Sequence, residues 1–228
     1  MDDVISQLSF KGIDAKINFV VQREGNSPLT KRMDVQVLDR SGNQSLLGVF
    51  TFPSNMKGTS FLAVTNSERD DEYHLYLRTL RRVKRVPNSS ENFMLRDFLS
   101  LYFMKPRPEM WSFKEGESSR EGAQDVVKVE GLPVDGRTTQ MTGYSRVVHW
   151  VELRRKVILR SEFYGSDGAL SRTQKVTEFT RVGGVWFPSV FETDDLTEGA
   201  KARVELLEIT LKDSFPDDWF TVRHLKTF

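Results

Sequence analysis

Hydrophobic and polar residues alternate along most of this chain, in short segments separated by turn residues. Such period-two alternation is typical of strands with one buried face, and its regular interruption favours an antiparallel all-β fold. In segment 31–38 it puts three apolar side chains on one face: Met33, Val35 and Val37. Residues 39–43 form a predicted turn, and the next strand has an apolar side made of Leu46, Phe50 and Phe52. These two segments therefore predict a hairpin.

A second hairpin is predicted from residues 157–164 and 170–180, and a turn at Gly183 and Gly184 precedes another strand candidate at 185–193. The remaining strand candidates are 13–23, 60–65, 73–86, 110–114, 125–130, 143–153 and 203–212. Allowing for splits, the pattern predicts about eleven strands. The polar stretch 115–124 is either a loop or a domain boundary. A loop is favoured, because neither half of the chain would close its own sheet.

Helix signals are few in this pattern. A short helix is predicted from Asp2 or Asp3 through Leu8. The stronger candidate is segment 90–103, which is apolar on most sides and is terminated by Pro106 and Pro108. A helix of this kind is either covered by the sheet or itself covers an apolar surface.

Composition narrows the class of protein. Lys and Arg total 33 against 32 Asp and Glu, so the net charge of +1 provides no overall field that attracts nucleic acid. A charged fraction of 29% and a hydrophobic fraction of 38% predict a soluble globular protein. No apolar run reaches about 18 residues, and the residues after Met1 lack the pattern of a signal peptide. If the protein is exported, we expect its signal peptide to be missing from this sequence.

Residues that could perform catalysis are scarce. The chain has no Cys, and its three His, at 74, 149 and 224, lack the H-E-x-x-H spacing of a zinc site. No G-x-S-x-G motif is present. Carboxylates at 70–72, 194–195 and 217–218 are predicted to be solvated turn residues, because neighbours on a strand point to opposite faces. The sequence therefore predicts no enzyme, no cofactor and no metal site.

Five cations are interleaved with apolar residues between positions 78 and 86: Arg78, Arg81, Arg82, Lys84 and Arg85. Because side chains alternate between the two faces of a strand, these cations form no single basic face unless a bulge or turn occurs near Thr79 and Leu80. A charged edge that resists aggregation is one interpretation. The other is a patch for anionic lipid head groups or an acidic partner.

Several stretches together resemble a known family. They are FTFPSNMKGTSFLAV (50–64), YHLYLRTLRRVKRV (73–86), NFMLRDF (92–98), WVELRRKVILRSEFYGSDGAL (150–170), GGVWFPSVFE (183–192) and SFPDDWFTVRHL (214–225). In their order and spacing these stretches are similar to the outer-membrane lipoprotein-sorting, LolA-like periplasmic proteins. The resemblance implies a single domain over residues 1–228 with a mainly β (α+β) fold. In that fold a highly curved antiparallel sheet forms an unclosed β-barrel, and a few helices lid its concave face.

The resemblance also implies a function. LolA-like proteins carry acylated lipoproteins between the membranes of Gram-negative bacteria, a step in outer-membrane biogenesis. We therefore expect a periplasmic carrier or binding protein for a hydrophobic, acylated ligand, either a lipid or a lipoprotein. Expected partners are an inner-membrane RND-type transporter or an outer-membrane acceptor. The alternative is a non-carrier interaction module that docks a membrane protein such as an RND-type exporter.

Aromatic residues supply the predicted wall of the ligand cavity. Taking for each strand the side that carries aromatics, the sheet contributes Phe50, Phe52, Phe61, Tyr76, Trp150, Phe163, Phe187 and Phe191. The lid helix contributes Phe93, Met94, Phe98 and Leu101. An acyl chain needs volume and apolar walls rather than catalytic groups, since each buried CH₂ contributes about 0.8 kcal/mol. The alternative interpretation of each of these residues is that it is an ordinary core residue and does not contact a ligand.

Overall fold

The computed structural model describes residues 1–8, 10–40, 43–65, 71–86, 107–122 and 124–228. In these ranges the fold is mainly β. The strands are β1 (Gly12–Arg23), β2 (Leu29–Arg40), β3 (Asn43–Phe52), β4 (Ser60–Val64), β5 (Glu72–Leu77), β6 (Arg82–Val86), β7 (Trp111–Glu121), β8 (Gln124–Pro133), β9 (Tyr144–Glu152), β10 (Val157–Gly165), β11 (Leu170–Val182), β12 (Val185–Asp195) and β13 (Ala200–Lys212). The α-helices of the described ranges are α1 (Asp2–Gln7) and α2 (Gly136–Thr142). Short 3₁₀ helices span Arg78–Leu80, Pro108–Met110 and His224–Thr227.

One antiparallel sheet contains all thirteen of these strands, in the order β6-β5-β4-β3-β2-β1-β13-β12-β11-β10-β9-β8-β7. Within the described part of the chain the sheet does not close, since β6 and β7 end the order. The mainly β class and the unclosed sheet are confirmed, but the predicted number of about eleven strands is too low. No helix in the described ranges is long and apolar enough to span a membrane.

One segment accounts for the additional strand, and a second extends further than predicted. Segment 73–86 forms two strands, because the 3₁₀ helix Arg78–Leu80 interrupts it. The polar stretch 115–124, predicted as a loop, lies mostly within β7, whose side chains are largely exposed on both faces. β7 pairs only with β8 in the described sheet, from Trp111 opposite Pro133 to Glu121 opposite Gln124. The strand candidate at 110–114 is the start of β7, but an exposed edge strand needs no apolar alternation, so the sequence pattern gave no sign of its continuation to Glu121.

The predicted hairpin of β2 and β3 is confirmed, with one correction. Met33 lies opposite Phe50, and Val35 lies opposite Gly48, so the apolar faces of the two strands coincide. A register shift then places Phe52 opposite Arg32, the neighbour of Met33. Paired residues share a face, whereas Arg32 and Met33 are consecutive residues of β2 and point to opposite faces. Phe52 therefore lies on the other side of the sheet from Phe50.

Each strand contributes to one or both of two compact units. Unit 1 contains Met1–Ser9, Val20–Leu29 and Lys105–Glu205, and unit 2 contains Phe10–Phe19, Thr30–Met104 and Leu206–Phe228. In unit 2 the C-terminal segment packs through Leu225 on a cluster that includes Leu47, Val49, Leu62 and Tyr76. In unit 1 two clusters form around neighbouring residues of β8: one contains Val126, Val148 and Trp150, and the other contains Val4, Val127, Val129 and Val151.

The two described helices belong to unit 1. The predicted N-terminal helix is present as α1, and its Val4 packs on the second cluster. Helix α2 was not predicted; it begins where the Asp135 carboxylate accepts a 2.7 Å hydrogen bond from the Thr138 amide. It ends at Gly143, whose φ of +77° is the left-handed conformation that glycine adopts readily. The helix predicted at 90–103 lies outside the described residues.

Candidate ligand-binding site

Unit 2 has a buried apolar face formed by three neighbouring strands, which we call the unit 2 wall. Strand register places its members on one side of the sheet. They are Met33, Val35 and Val37 of β2, Leu46 and Phe50 of β3, and Phe61 and Ala63 of β4. Each is at most 7% exposed. The cluster of Leu47, Val49, Leu62, Tyr76 and Leu225, which we call the C-terminal cluster, occupies the opposite face of the sheet, so β3 is buried on both sides.

A glycine in β3 makes room for one of the two aromatic rings of this wall. Gly48 lies directly opposite Phe61. A Cβ on Gly48 would overlap the Phe61 ring and lie 2.9 Å from Met33 Cε. The ring of Phe61 therefore lies across the backbone of β3, a position that a side chain at 48 would prevent.

A buried cation sits beside the aromatic residues of the unit 2 wall. The rings of Phe19 and Phe50 are 6.3 Å apart, and Lys31 Nζ lies 5.7 Å and 5.9 Å from their centroids. Lys31 is only 8% exposed. Sequence reasoning did not select this lysine, although a signal existed, because Lys31 has the same strand parity as Met33 and Val35.

In unit 1 the face of β9 that carries His149 combines aromatic and polar groups. His149 Nδ1 shares a 2.8 Å hydrogen bond with Ser161 Oγ of β10. The imidazole lies 6.3 Å from the ring of Phe163, edge to face, and 6.3 Å from that of Phe113. Burial lowers the pKa of His149 to about 4, because desolvation disfavours the charged imidazolium. His149 is therefore neutral near pH 7.

Next to Phe163 in the sheet lies a buried ion pair. Phe163 is opposite Arg172, which in turn is opposite Asp195. Arg172 Nη2 lies 3.1 Å from Asp195 Oδ2, with the two side chains 2% and 7% exposed. The other oxygen of Asp195 accepts hydrogen bonds from the amides of Thr197 and Glu198, at 3.0 Å and 2.8 Å. The prediction that the carboxylates at 194–195 are solvated is thus wrong for Asp195, because this turn folds its carboxylate inward onto an arginine.

On the opposite face of β9, which carries Trp150, cationic side chains form a layer over aromatic rings. Arg160 Cζ lies 3.4 Å from the Trp150 ring centroid, and Lys128 Nζ lies 5.7 Å from it. A groove of about 360 Å³ adjoins this layer and includes Arg160 and Glu121 in its lining. Arg160 pairs with Glu121 at 3.1 Å. Such a groove is a poor site for an acyl chain, because its lining carries paired charges.

The predicted binding residues fall into distinct environments. Phe50 and Phe61 lie together on the unit 2 wall, whereas Tyr76 belongs to the C-terminal cluster on the other face. Phe52 is 45% exposed. In unit 1 Phe163, Phe187 and Phe191 are buried, and Trp150 is buried beneath its cations. The four lid residues, Phe93, Met94, Phe98 and Leu101, lie outside the described residues.

Metal-binding side chains do not converge in the described ranges. No group of three or more His, Cys, Asp or Glu residues is arranged there to hold a metal ion. His74 Nε2 lies 3.4 Å from a Glu72 carboxylate oxygen. These two residues of β5 are two positions apart, so the contact is local.

Comparison with known proteins identifies similar folds. A family model described as an uncharacterized protein matches residues 42–227. No curated protein matches the chain. A putative outer membrane lipoprotein-sorting protein domain from Vibrio parahaemolyticus is 22% identical, with a TM-score of 0.88 over 99% of this chain and 96% of that one. A DUF1329 family protein from Desulfovibrio piger is 19% identical, with a TM-score of 0.87 over 98% and 96% of the two chains.

A third similar structure is a LolA superfamily protein from Nitrosomonas europaea. It is 16% identical, with a TM-score of 0.75 over 98% of both chains. At these identities the likeness concerns the fold, and it extends over nearly the whole length of each protein. The predicted resemblance to the LolA-like proteins is therefore confirmed.

Proposed function

Because this chain belongs to the family whose model matches residues 42–227 and has the LolA-like fold, we propose that it is a periplasmic carrier or binding protein for a hydrophobic, acylated ligand. We propose further that residues 1–228 act as one domain. The observation that carries the proposal is the unit 2 wall. Carrying an acyl chain requires a continuous apolar face, and it requires no catalytic group.

The chemistry of the unit 2 wall fits an acyl chain. Phe50 and Phe61 contribute buried aromatic rings, and aliphatic side chains from β2, β3 and β4 lie on the same face. Burying a chain of twelve to sixteen carbons against such a face contributes about 0.8 kcal/mol per CH₂. Because Gly48 carries no side chain, the ring of Phe61 can occupy the space beside this residue of β3.

Lys31 suits the polar end of the same ligand. Its ammonium group lies within 6 Å of the Phe19 and Phe50 centroids, next to the Phe50 side of the wall. A carboxylate or phosphate next to this amine gains a charge-assisted interaction while its acyl chain follows the aromatic rings. Our proposal thus favours an anionic amphiphile over a neutral hydrocarbon.

The proposed setting is the periplasm of a Gram-negative bacterium. The cargo is a lipid or an acylated lipoprotein, received from an inner-membrane transporter of the RND type or passed to an outer-membrane acceptor. In this proposal the protein performs no covalent chemistry. Delivery then depends only on the relative affinities of the carrier and the acceptor for the acyl chain.

Two adjacent residues of β4 provide a matched test. Phe61 on the wall and Leu62 in the C-terminal cluster are 2% and 3% exposed, so truncating either one creates a cavity. We expect Phe61→Ala to weaken binding of a fluorescent fatty acid at least fivefold, whereas Leu62→Ala keeps the wild-type affinity despite a similar loss of stability. Phe61→Leu, which keeps most of the volume, provides a second variant if Phe61→Ala folds poorly. Equal affinities of the Phe61 and Leu62 variants would contradict the proposal.

Retained lipid separates this proposal from its alternative. Protein purified without detergent should release acylated molecules on organic extraction, in an amount comparable to that of the protein. If the extract contains no lipid and the fatty-acid probe does not bind, the chain is better explained as a non-carrier module that docks a membrane protein.

A further inference from the structure

One end of unit 2 gathers exposed cations from three connections of the sheet. These connections are the start of β2, the β3–β4 loop, and the 3₁₀ helix Arg78–Leu80 between β5 and β6. The strand pairs next to them place all three at the same end of the sheet: Arg32 with Phe52, Ser60 with Tyr76, and Leu77 with Arg82. We call this end the basic apex. Its members are Arg32, Phe52, Lys57, Arg78, Leu80, Arg81 and Arg82, all of them exposed.

The tip of the basic apex holds an apolar side chain away from the core. Leu80 is 63% exposed at the end of its 3₁₀ helix, and the next residue, Arg81, has a φ of +49°. This left-handed conformation reverses the chain into β6, so Leu80 lies at the turn of the hairpin. Phe52, at the end of β3, is 45% exposed and has the guanidinium of Arg32 5.7 Å from its ring centroid.

Among the described residues, the positive charge of the basic apex is not paired with acidic side chains, and the one carboxylate beside it is that of the C-terminal residue Phe228, whose backbone C lies near Gly58 and Arg78. Segments 51–59 and 77–86 contain no Asp or Glu. Arg78 Nη1 donates a 3.5 Å hydrogen bond to the carbonyl of Lys57, which brings the cations of the two loops together. None of the five cations of the apex forms an ion pair with another described residue. Arginines of unit 1 differ, since Arg146, Arg160 and Arg203 all have carboxylate partners within 3.2 Å.

Exposed apolar side chains surrounded by unpaired cations are the features of a surface that enters a lipid interface. The apolar tip gains by leaving water for the acyl region, and each cation near an anionic membrane surface adds a favourable term that salt weakens. An acidic protein partner would account for the charges but would not require an apolar residue projecting from the turn. We propose that the basic apex docks this protein on membranes that contain anionic phospholipid, with Leu80 inserted at the head-group level.

Vesicle binding provides the first test. The protein of residues 1–228 should co-sediment with vesicles of phosphatidylcholine and phosphatidylglycerol (7:3) at low salt, but not with pure phosphatidylcholine vesicles. The variant Arg81→Glu/Arg82→Glu should bind at least tenfold more weakly. As the matched control, Lys114→Glu/Lys212→Glu changes the net charge equally at exposed positions outside the apex and should bind like the wild type. Circular dichroism confirms that each variant is folded.

A second measurement locates the contact. Because the chain has no Cys, Leu80→Cys introduces a single labelling site for an environment-sensitive dye. Its emission should shift to the blue when the anionic vesicles are added. The same dye on Leu207→Cys, another exposed leucine of unit 2 (54%), should not shift. Equal binding to both vesicle types, unaltered binding of the Arg81/Arg82 variant, or a dye at 80 that stays in water would overturn the proposal. Binding of poly-glutamate in place of the vesicles would identify an acidic polypeptide as the partner.

Discussion

The imidazole of His149 makes the stability of unit 1 sensitive to acid. Its folded pKa of about 4 lies below the ordinary value of 6.5, chiefly because of burial, so the unfolded chain binds the proton more tightly. Above pH 6.5 the group has no effect, and between pH 6.5 and 4 we expect it to cost up to about 3 kcal/mol of folding free energy. Urea unfolding at pH 7.5, 5.5 and 4.5 measures this loss. His149→Gln should lose less stability on acidification than the wild type, and an equal loss in the two proteins would contradict the prediction.

The buried pair of Arg172 and Asp195 predicts a non-additive pair of substitutions. Removing one partner of a buried ion pair leaves the other uncompensated, which typically costs about 3–5 kcal/mol. We expect Arg172→Leu to destabilise the protein by about this amount. Adding Asp195→Asn should restore part of the stability, because the amide oxygen still accepts from Thr197 and Glu198 without a buried charge. Denaturant unfolding of both single variants and the double variant measures the coupling, and purely additive effects would contradict the prediction.

At the scale of elements, the contact between β3 and β4 depends on Gly48. Gly48→Ala would force its Cβ into the Phe61 ring. Overpacking of this kind costs about 1–3 kcal/mol. In a Phe61→Leu background the same alanine should cost clearly less, because the smaller side chain vacates the space. A double-mutant cycle in urea tests this, and an equal cost in both backgrounds would show that strand β3, rather than the ring, determines the requirement for glycine.

Elements also show how far sequence patterns reach. The hairpin of β2 and β3 was predictable because its apolar residues alternate cleanly and a turn separates them. The continuation of the strand candidate at 110–114 to residue 121 was not, since an exposed edge strand derives its order from backbone pairing with β8, which leaves no side-chain pattern. The face of the sheet on which Phe52 lies could not be predicted either, because one register shift reverses the face of every residue beyond it.

At the scale of the whole molecule, ligand binding should stabilise the folded chain. A ligand that binds only the native state at one hundred times its Kd adds about 2.7 kcal/mol, or roughly 5–10 °C in Tm for a chain of this size. We expect palmitate to raise the Tm of the wild type by this amount and that of Phe61→Ala by less at the same concentration. Acetate, which shares the carboxylate but lacks the chain, serves as control. A bound fatty-acid probe without any rise in Tm would contradict a native-state site.

The sequence by itself determined the mainly β class, the hairpins and the LolA-like resemblance, because these depend on local alternation, turn residues and the order of motifs along the chain. It also marked the basic run at 78–86, but left its meaning open. The tertiary structure decided which aromatic residues share a face, and it separated Phe61 from Tyr76 and His149 from Trp150. It brought Lys31 over two rings and paired Arg172 with Asp195, residues 23 positions apart. Such contacts depend on strand register and on which segments meet across the sheet, and no single stretch of sequence encodes either.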